Sequence, residues 1–351
     1  MRPYDLAKPV LFRLPPETAH DLVLDALRLA RHDPVRRLLA SHYVLKDPRL
    51  ETSLWDMAFP NPVGVAAGLD KNARVPGALA ALGFGFVEVG GVTAEPQAGN
   101  PRPRLFRLPE DEALVNRMGL NNDGAAAVGR RLAGQSVPVP VGVNVAKSEA
   151  VPPDEAPADY RRTYEQVADA GDFFVVNVSC PNSQGFEELQ NREAMAAIFA
   201  ALTEAGADPL LVKLSPDLPE PAAVDALELV AEFDLDGVVA TNTTTERPEM
   251  LRSPNRAESG GLSGKPLEAR ATGMVRLAAR HVDVPVIGVG GVSSAEGAYR
   301  KIRAGASAVQ LYTGLIYRGP SIAREINRGL LTLLERDGFD SVAAAVGADL
   351  D

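Results

Sequence analysis

From residue 60 onward the chain repeats one alternation, a short apolar run ending in Gly, Asn, Thr or Lys followed by a stretch with helical spacing of apolar positions. The runs fall at 63–67, 86–92, 141–145, 173–178, 210–214, 238–241, 286–289 and 308–312. Helical spacing recurs at 76–82, 160–170, 193–205, 222–233, 269–280, 295–304 and 321–336. Near-continuous Val, Ile, Leu and Phe predict parallel strands buried on both faces, because crossover helices cover such a sheet. Eight runs with no reversal predict the α/β class and a (β/α)8 (TIM) barrel rather than an open doubly wound sheet. Segment 93–122 is too long for a simple strand-to-helix loop, and 244–266 is rich in Gly and Ser. Both are expected over the barrel mouth, at the C-terminal ends of the strands.

The first 50 residues follow another pattern. Leu6, Val10, Leu11 and Leu14 recur at helical spacing, and after Pro15-Pro16 a second set follows: Ala19, Leu22, Val23, Ala26, Leu27 and Ala30. Leu24 and Leu29 widen that stripe beyond what one buried face needs. Two short helices are expected, forming a small N-terminal helical subdomain over 1–42 ahead of a barrel over 43–351. The pair is read either as a cap on the main core or as a membrane-facing or ligand-tunnel element. Nine Lys or Arg against six Asp or Glu give this stretch a balance of +3, in a chain whose formal charge is −10.

Composition narrows the classes further. A length of 351 residues suits one barrel with an appendage, and 46% apolar residues punctuated by 31 Gly and 28 Pro exclude collagen, coiled coil and disorder. Net negative charge and only 5% aromatics argue against a nucleic-acid partner. The single cysteine cannot form an intrachain disulfide. His20, His32, His42 and His281 lie far apart with no carboxylate at metal-ligand spacing, so no metal site is expected. No run reaches the roughly 18 apolar residues of a membrane span, and Asp5 and Pro9 interrupt the N-terminus where a signal peptide would be apolar. An intracellular, reducing location is expected, with contact to one membrane leaflet still compatible.

Polar residues at strand ends carry the candidate chemistry. Lys71 follows the first run; Asn144 ends the third; Asn177, Ser179, Cys180 and Asn182 end the fourth; Lys213 lies inside the fifth; Thr241, Asn242 and Thr243 end the sixth. Asn116 adds an amide from the long second loop, and no Glu stands at a strand end. A lysine inside an apolar strand is costly to bury unless an anion or a negatively polarised ring meets it. A structural salt bridge across the barrel is the alternative for Lys213 and for Lys71, and turn or cap roles remain open for each asparagine. Together, amides and lysines suit a flat, anionic, heteroatom-rich ligand such as a pyrimidine or flavin ring. Gly290-Gly291 and the LYTG at 311–314 mark a phosphate site after the seventh and eighth strands, although glycines also make ordinary turns. Cys180 sits in a polar loop, NVSCPNS, so it is read as a general base or nucleophile, against the alternative of a small core residue. No histidine stands at a strand end to orient a thiol nucleophile, which favours the base.

AAGLDKN at 66–72, GNPRPRLFRLPED at 99–111, NRMGLNN at 116–122, NVSCPN at 177–182, DGVVATNTT at 236–244, GGLSGKPL at 260–267, IGVGGV at 287–292 and QLYTGLIYRGP at 310–320 resemble dihydroorotate dehydrogenase, through nearly the whole chain and in the same order. The N-terminal helical pair resembles the membrane-associated, quinone-using branch, where it forms a quinone tunnel. The resemblance implies FMN as cofactor, oxidation of (S)-dihydroorotate to orotate in pyrimidine biosynthesis, and quinone as electron acceptor. It further implies a monomer held peripherally at the cytoplasmic side of the cell membrane. Ala67, Gly68, Leu69, Asp70 and Lys71 would lie against the flavin, with Asn144, Asn177, Lys213 and Thr241. Gly264, Gly291, Tyr312 and Thr313 would hold its ribityl phosphate region. Substrate contacts would fall to Lys71, Asn116, Arg117, Met118, Gly119, Leu120, Asn177, Asn182, Asn242 and Thr243, and the quinone side to Arg107 and Tyr312. Two positions depart from the branch pattern: Cys180 replaces the usual serine base, and Gly91 stands where Thr or Ser commonly touches the flavin. A soluble form of the enzyme using fumarate or NAD is the near alternative. An isomerase or aldolase using Lys213 as a Schiff base is the distant one.

Overall fold

The computed structural model of the protein describes residues 3–179 and 188–350. An antiparallel hairpin of β1 (Thr52–Leu54) and β2 (Met57–Phe59) precedes the first barrel strands, β3 (Val63–Val65) and β4 (Phe86–Val92). The chain then leaves the barrel for β5 (Leu105–Leu108) and β6 (Ala113–Asn116). It returns through β7 (Val141–Val145), β8 (Phe173–Asn177), β9 (Leu210–Leu214) and β10 (Gly237–Ala240). After an excursion through β11 (Gly261–Gly264), β12 (Val286–Val289) and β13 (Ala306–Leu311) complete the barrel. It closes in the order β3-β4-β7-β8-β9-β10-β12-β13, so all eight apolar runs become barrel strands and the expected (β/α)8 fold is the observed one. The two long insertions meet, β6 pairing antiparallel with both β5 and β11 in a small sheet beside the barrel mouth.

The interior fills by matching large side chains to missing ones. A Cβ at Gly64 would collide with the Phe86 ring, and one at Gly142 with the Phe173 ring. These two rings pack with Phe59 and with Trp55, whose Nε1 donates to the Asp236 carbonyl at 2.7 Å, so the β1–β2 hairpin plugs one end of the barrel. Chemistry is therefore left to the other end.

Outside the barrel, three helices rather than the expected two form the N-terminal layer: α1 (Pro3–Leu11), α2 (Pro16–Leu27) and α3 (Asp33–Tyr43). The third escapes a reading based on buried periodicity because none of its residues is buried; Pro34 in its first turn helps to start it. Tyr4 Oη donates to the Ile316 carbonyl at 2.5 Å, Arg107 Nη1 to the Leu14 carbonyl at 2.8 Å, and Arg104 pairs with Glu17 at 3.0 Å, tying the layer to the barrel. Its opposite side leaves large apolar side chains in water, among them Leu6 at 67% and Leu38 at 70% exposure. No helix among the described residues is long and apolar enough to cross a membrane.

Candidate active site

Successive inward positions along the strands build layers. Above the Phe86 and Phe173 rings the barrel turns polar, with Glu88 on β4, Asn144 on β7, Lys213 on β9 and Gln310 on β13 all buried. Lys213 Nζ meets Glu88 Oε1 at 3.2 Å, so the salt bridge across the barrel is present, while the same side chain also borders the cavity above it. Glu88 was not among the residues singled out from the sequence. Its signal was there, since it interrupts FVEVGGV as Lys213 interrupts LLVKLS, and two opposite charges each alone in a buried strand are natural partners.

Over this layer opens a cavity that reaches the solvent at the barrel mouth. Lys71, Lys213 and Lys265 line it together with the amides of Asn116, Asn144, Asn177 and Asn242, against one carboxylate, Glu112. The structure brings most of the sequence candidates to this wall: Ala67, Gly68, Gly91, Met118, Gly119, Leu120, Thr241, Thr243, Gly264, Gly291, Tyr312 and Thr313 border it as well. Leu69, Asp70, Arg107 and Arg117 do not. Asp70 is buried and accepts the backbone N–H groups of Arg74 and Val75 at 2.8 and 2.7 Å, closing the loop that carries Lys71. Arg117 pairs with Glu258 at 2.8 Å and lies over the Phe106 ring. Arg107 spans the joint between the N-terminal layer and the barrel, its guanidinium 4.8 Å from the centre of the Phe12 ring. Cys180 and Asn182 lie outside the described residues.

Electrostatics at the wall follow from burial. Tyr312 is pushed up to about 12, so its hydroxyl keeps its proton. His20, dismissed in the sequence as one of four scattered histidines, is carried by α2 into the charge field of the site. Burial, and then the positive charges of Lys71 and Arg74, lower it to about 4, leaving a neutral imidazole near neutral pH. Nothing in the spacing of a lone histidine on an N-terminal helix announces that neighbour.

The donor set suits a large anionic ring compound with a phosphate tail. Three cationic side chains and four amides supply donors and acceptors for the ring. At the far side Gly264, Gly290 and Gly291 hold positive φ, and a Cβ on any of them would strike Glu112, Ala271 or Glu268, so only bare backbone fits there. Gly290 and Gly291 just past β12, and Thr313 and Gly314 just past β13, line the same wall, the place where barrels of this kind hold a phosphate on strand-end backbone. FMN has this build, and the residues present fit it.

Comparison with known proteins agrees with that geometry. Residues 49–334 match the family described as dihydroorotate dehydrogenase. A protein of Haloarcula marismortui named dihydroorotate dehydrogenase (quinone) is 69% identical over 350 residues, covering 100% of both chains. One of the same name from Gloeobacter violaceus is 48% identical, covering 98% of each. Among solved structures, ligand-free dihydroorotate dehydrogenase of Eimeria tenella superposes with a TM-score of 0.87 at 36% identity, covering 96% of this chain and 99% of that one. The match takes in the strands that carry the lysines and amides, the glycine turns and the N-terminal layer alike, and the chain belongs to the dihydroorotate dehydrogenase family.

Proposed function

We propose that the protein oxidises (S)-dihydroorotate to orotate with FMN as cofactor and delivers the electrons to a quinone at a peripheral membrane site. The observation that carries this reading is the mouth where three lysines, four amides and the glycine turns converge, with an N-terminal layer bearing exposed leucines packed through Phe12 on Tyr317 of its wall. FMN, when bound, supplies the two-electron acceptor that the side chains lack. Ala67, Gly68, Asn144, Asn177, Lys213 and Thr241 would hold its ring system, and Gly264, Gly291, Tyr312 and Thr313 its ribityl phosphate. Lys71, Asn116, Met118, Gly119, Leu120, Asn177, Asn242 and Thr243 would seat the pyrimidine and its carboxylate, the lysine and amides steadying charge that develops on the ring oxygens. Cys180 would take the proton from C5 of the substrate while hydride departs from C6. Arg107 and Tyr312 would face the quinone, a role that the place of Arg107 between the N-terminal layer and the barrel supports.

The N-terminal layer, residues 1–42, would serve as quinone entry and as the surface in contact with lipid. Its exposed Leu6, Val10, Leu22, Leu29 and Leu38 favour that use over a purely structural cap. Extraction and chromatographic identification of the cofactor test the reading at its base. FMN is the expected result; FAD, or a colourless chain that takes up no flavin, overturns it.

A further inference from the structure

Glu88 does not border the cavity, yet the groups that do border it hang from it. Its Oε1 accepts from Asn144 Nδ2 at 2.7 Å and from Lys213 Nζ at 3.2 Å, and its Oε2 accepts from Gln310 Nε2 at 2.7 Å. A carboxylate only accepts hydrogen bonds, so Asn144 must turn its NH2 inward and its oxygen upward. That oxygen accepts Asn177 Nδ2 at 3.2 Å, and Asn177 Oδ1 in turn accepts Asn242 Nδ2 at 3.3 Å. An asparagine side chain is free to turn either way in isolation; here the buried anion directs Asn144, and the backbone holds the next two in the same sense, the Ser179 N–H donating to Asn177 Oδ1 at 3.3 Å, Asn242 Nδ2 donating to the Ser179 carbonyl at 2.9 Å and the Thr243 N–H donating to Asn242 Oδ1 at 2.8 Å. The same anion compensates the Lys213 ammonium, which would otherwise be a lone charge inside the barrel.

We propose that Glu88 is a positioning residue for the cofactor and substrate site. Its charge fixes the direction of Asn144, the amide at the base of the Asn144–Asn177–Asn242 chain, and holds Lys213 at the cavity floor, so that the edge these two offer to a bound ring is fixed before the ring arrives. The inference rests on the FMN reading above. It also assigns Glu88 an electrical effect, because a fixed negative charge next to a flavin opposes its reduction.

The test is a double-mutant cycle in the full chain: Glu88→Gln, Lys213→Met and the two together, reading the FMN affinity of the apoprotein by fluorescence and the midpoint potential of the bound flavin. Glutamine keeps the size of Glu88 but can donate as well as accept, and carries no charge. In the otherwise native chain Glu88→Gln should weaken FMN binding about 10-fold or more and raise the midpoint potential. In the Lys213→Met background it should cost clearly less FMN affinity, because the share of its effect that runs through Lys213 is gone and only the share through Asn144 remains. Should either single variant fold poorly because it leaves one buried charge alone, the double variant, with no lone buried charge, is compared with the native chain, and FMN affinity and potential equal to the native values overturn the inference. Equal losses in both backgrounds, or unchanged affinity and potential in Glu88→Gln, overturn the inference while FMN binding by the native chain leaves the cofactor reading standing. A native chain that binds no FMN overturns both.

Discussion

At position 180 a thiol and a hydroxyl would handle the substrate proton differently. A free thiol titrates at about 8.5 and a lysine beside it would lower that value, whereas serine stays protonated and must pass its proton onward in the same step. Flavin reduction by dihydroorotate should therefore slow by roughly 10²- to 10⁴-fold in Cys180→Ala. Cys180→Ser should shift the pH profile upward and lose rate near neutrality. Stopped-flow reduction across pH measures both, and a Cys180→Ala variant as fast as the native chain assigns the base elsewhere. His20 gives a second prediction at this scale. Its folded value of about 4 lies below the ordinary imidazole range, so its burial favours the native state fully above about pH 6.5 and progressively less as pH falls toward 4. His20→Gln should remove that loss, at most about 3 kcal/mol, when unfolding of the two chains is compared at pH 7 and pH 4. Parallel denaturation curves with the same offset at both values would count against a buried neutral imidazole. Individual residues were legible where the strand pattern placed them, as with Lys71, Asn144 and Lys213. Glu88 left a signal, a lone charge in an apolar strand, but its role, like that of His20, depends on a partner on a distant segment, Lys213 in one case and the Lys71 loop in the other.

Among the elements, the N-terminal layer carries the clearest separable claim. Removing residues 1–42 should sharply impair reoxidation by quinone while leaving the reduction of the flavin by dihydroorotate largely intact. A structural cap would damage both, so equal loss of the two half-reactions in a folded, FMN-loaded truncation would contradict the proposed role. The exposed leucines allow a gentler version. Leu6→Glu with Leu38→Glu, both far from the barrel wall by exposure, should weaken flotation with lipid vesicles without lowering flavin reduction; unchanged flotation would argue against this face. Here the sequence pattern revealed the excess apolar surface on α1 and α2, since a double stripe exceeds one buried face. It missed α3, whose PVRRLLASHY holds no fully buried position and meets the core only through the half-buried Leu39 and Tyr43, too short a stripe to stand out in the sequence.

For the whole molecule the fold was readable because a barrel writes the same unit repeatedly. Eight apolar runs buried on both faces have few other ways to satisfy their backbone and side chains at once, and each became a strand within a few residues of its expected bounds. The small sheet of β5, β6 and β11 was visible only as two overlong loops, since β11 joins the local β5–β6 hairpin from a segment about 145 residues away. The most direct measurement of the account is an anaerobic mixing experiment on the FMN-loaded chain, first with dihydroorotate and then with quinone, fumarate or NAD. Dihydroorotate should bleach the flavin band with orotate formed in equal amount, and quinone should restore the band far faster than fumarate or NAD. A flavin that dihydroorotate leaves oxidised, or one that fumarate or NAD reoxidises as fast as quinone does, would contradict it.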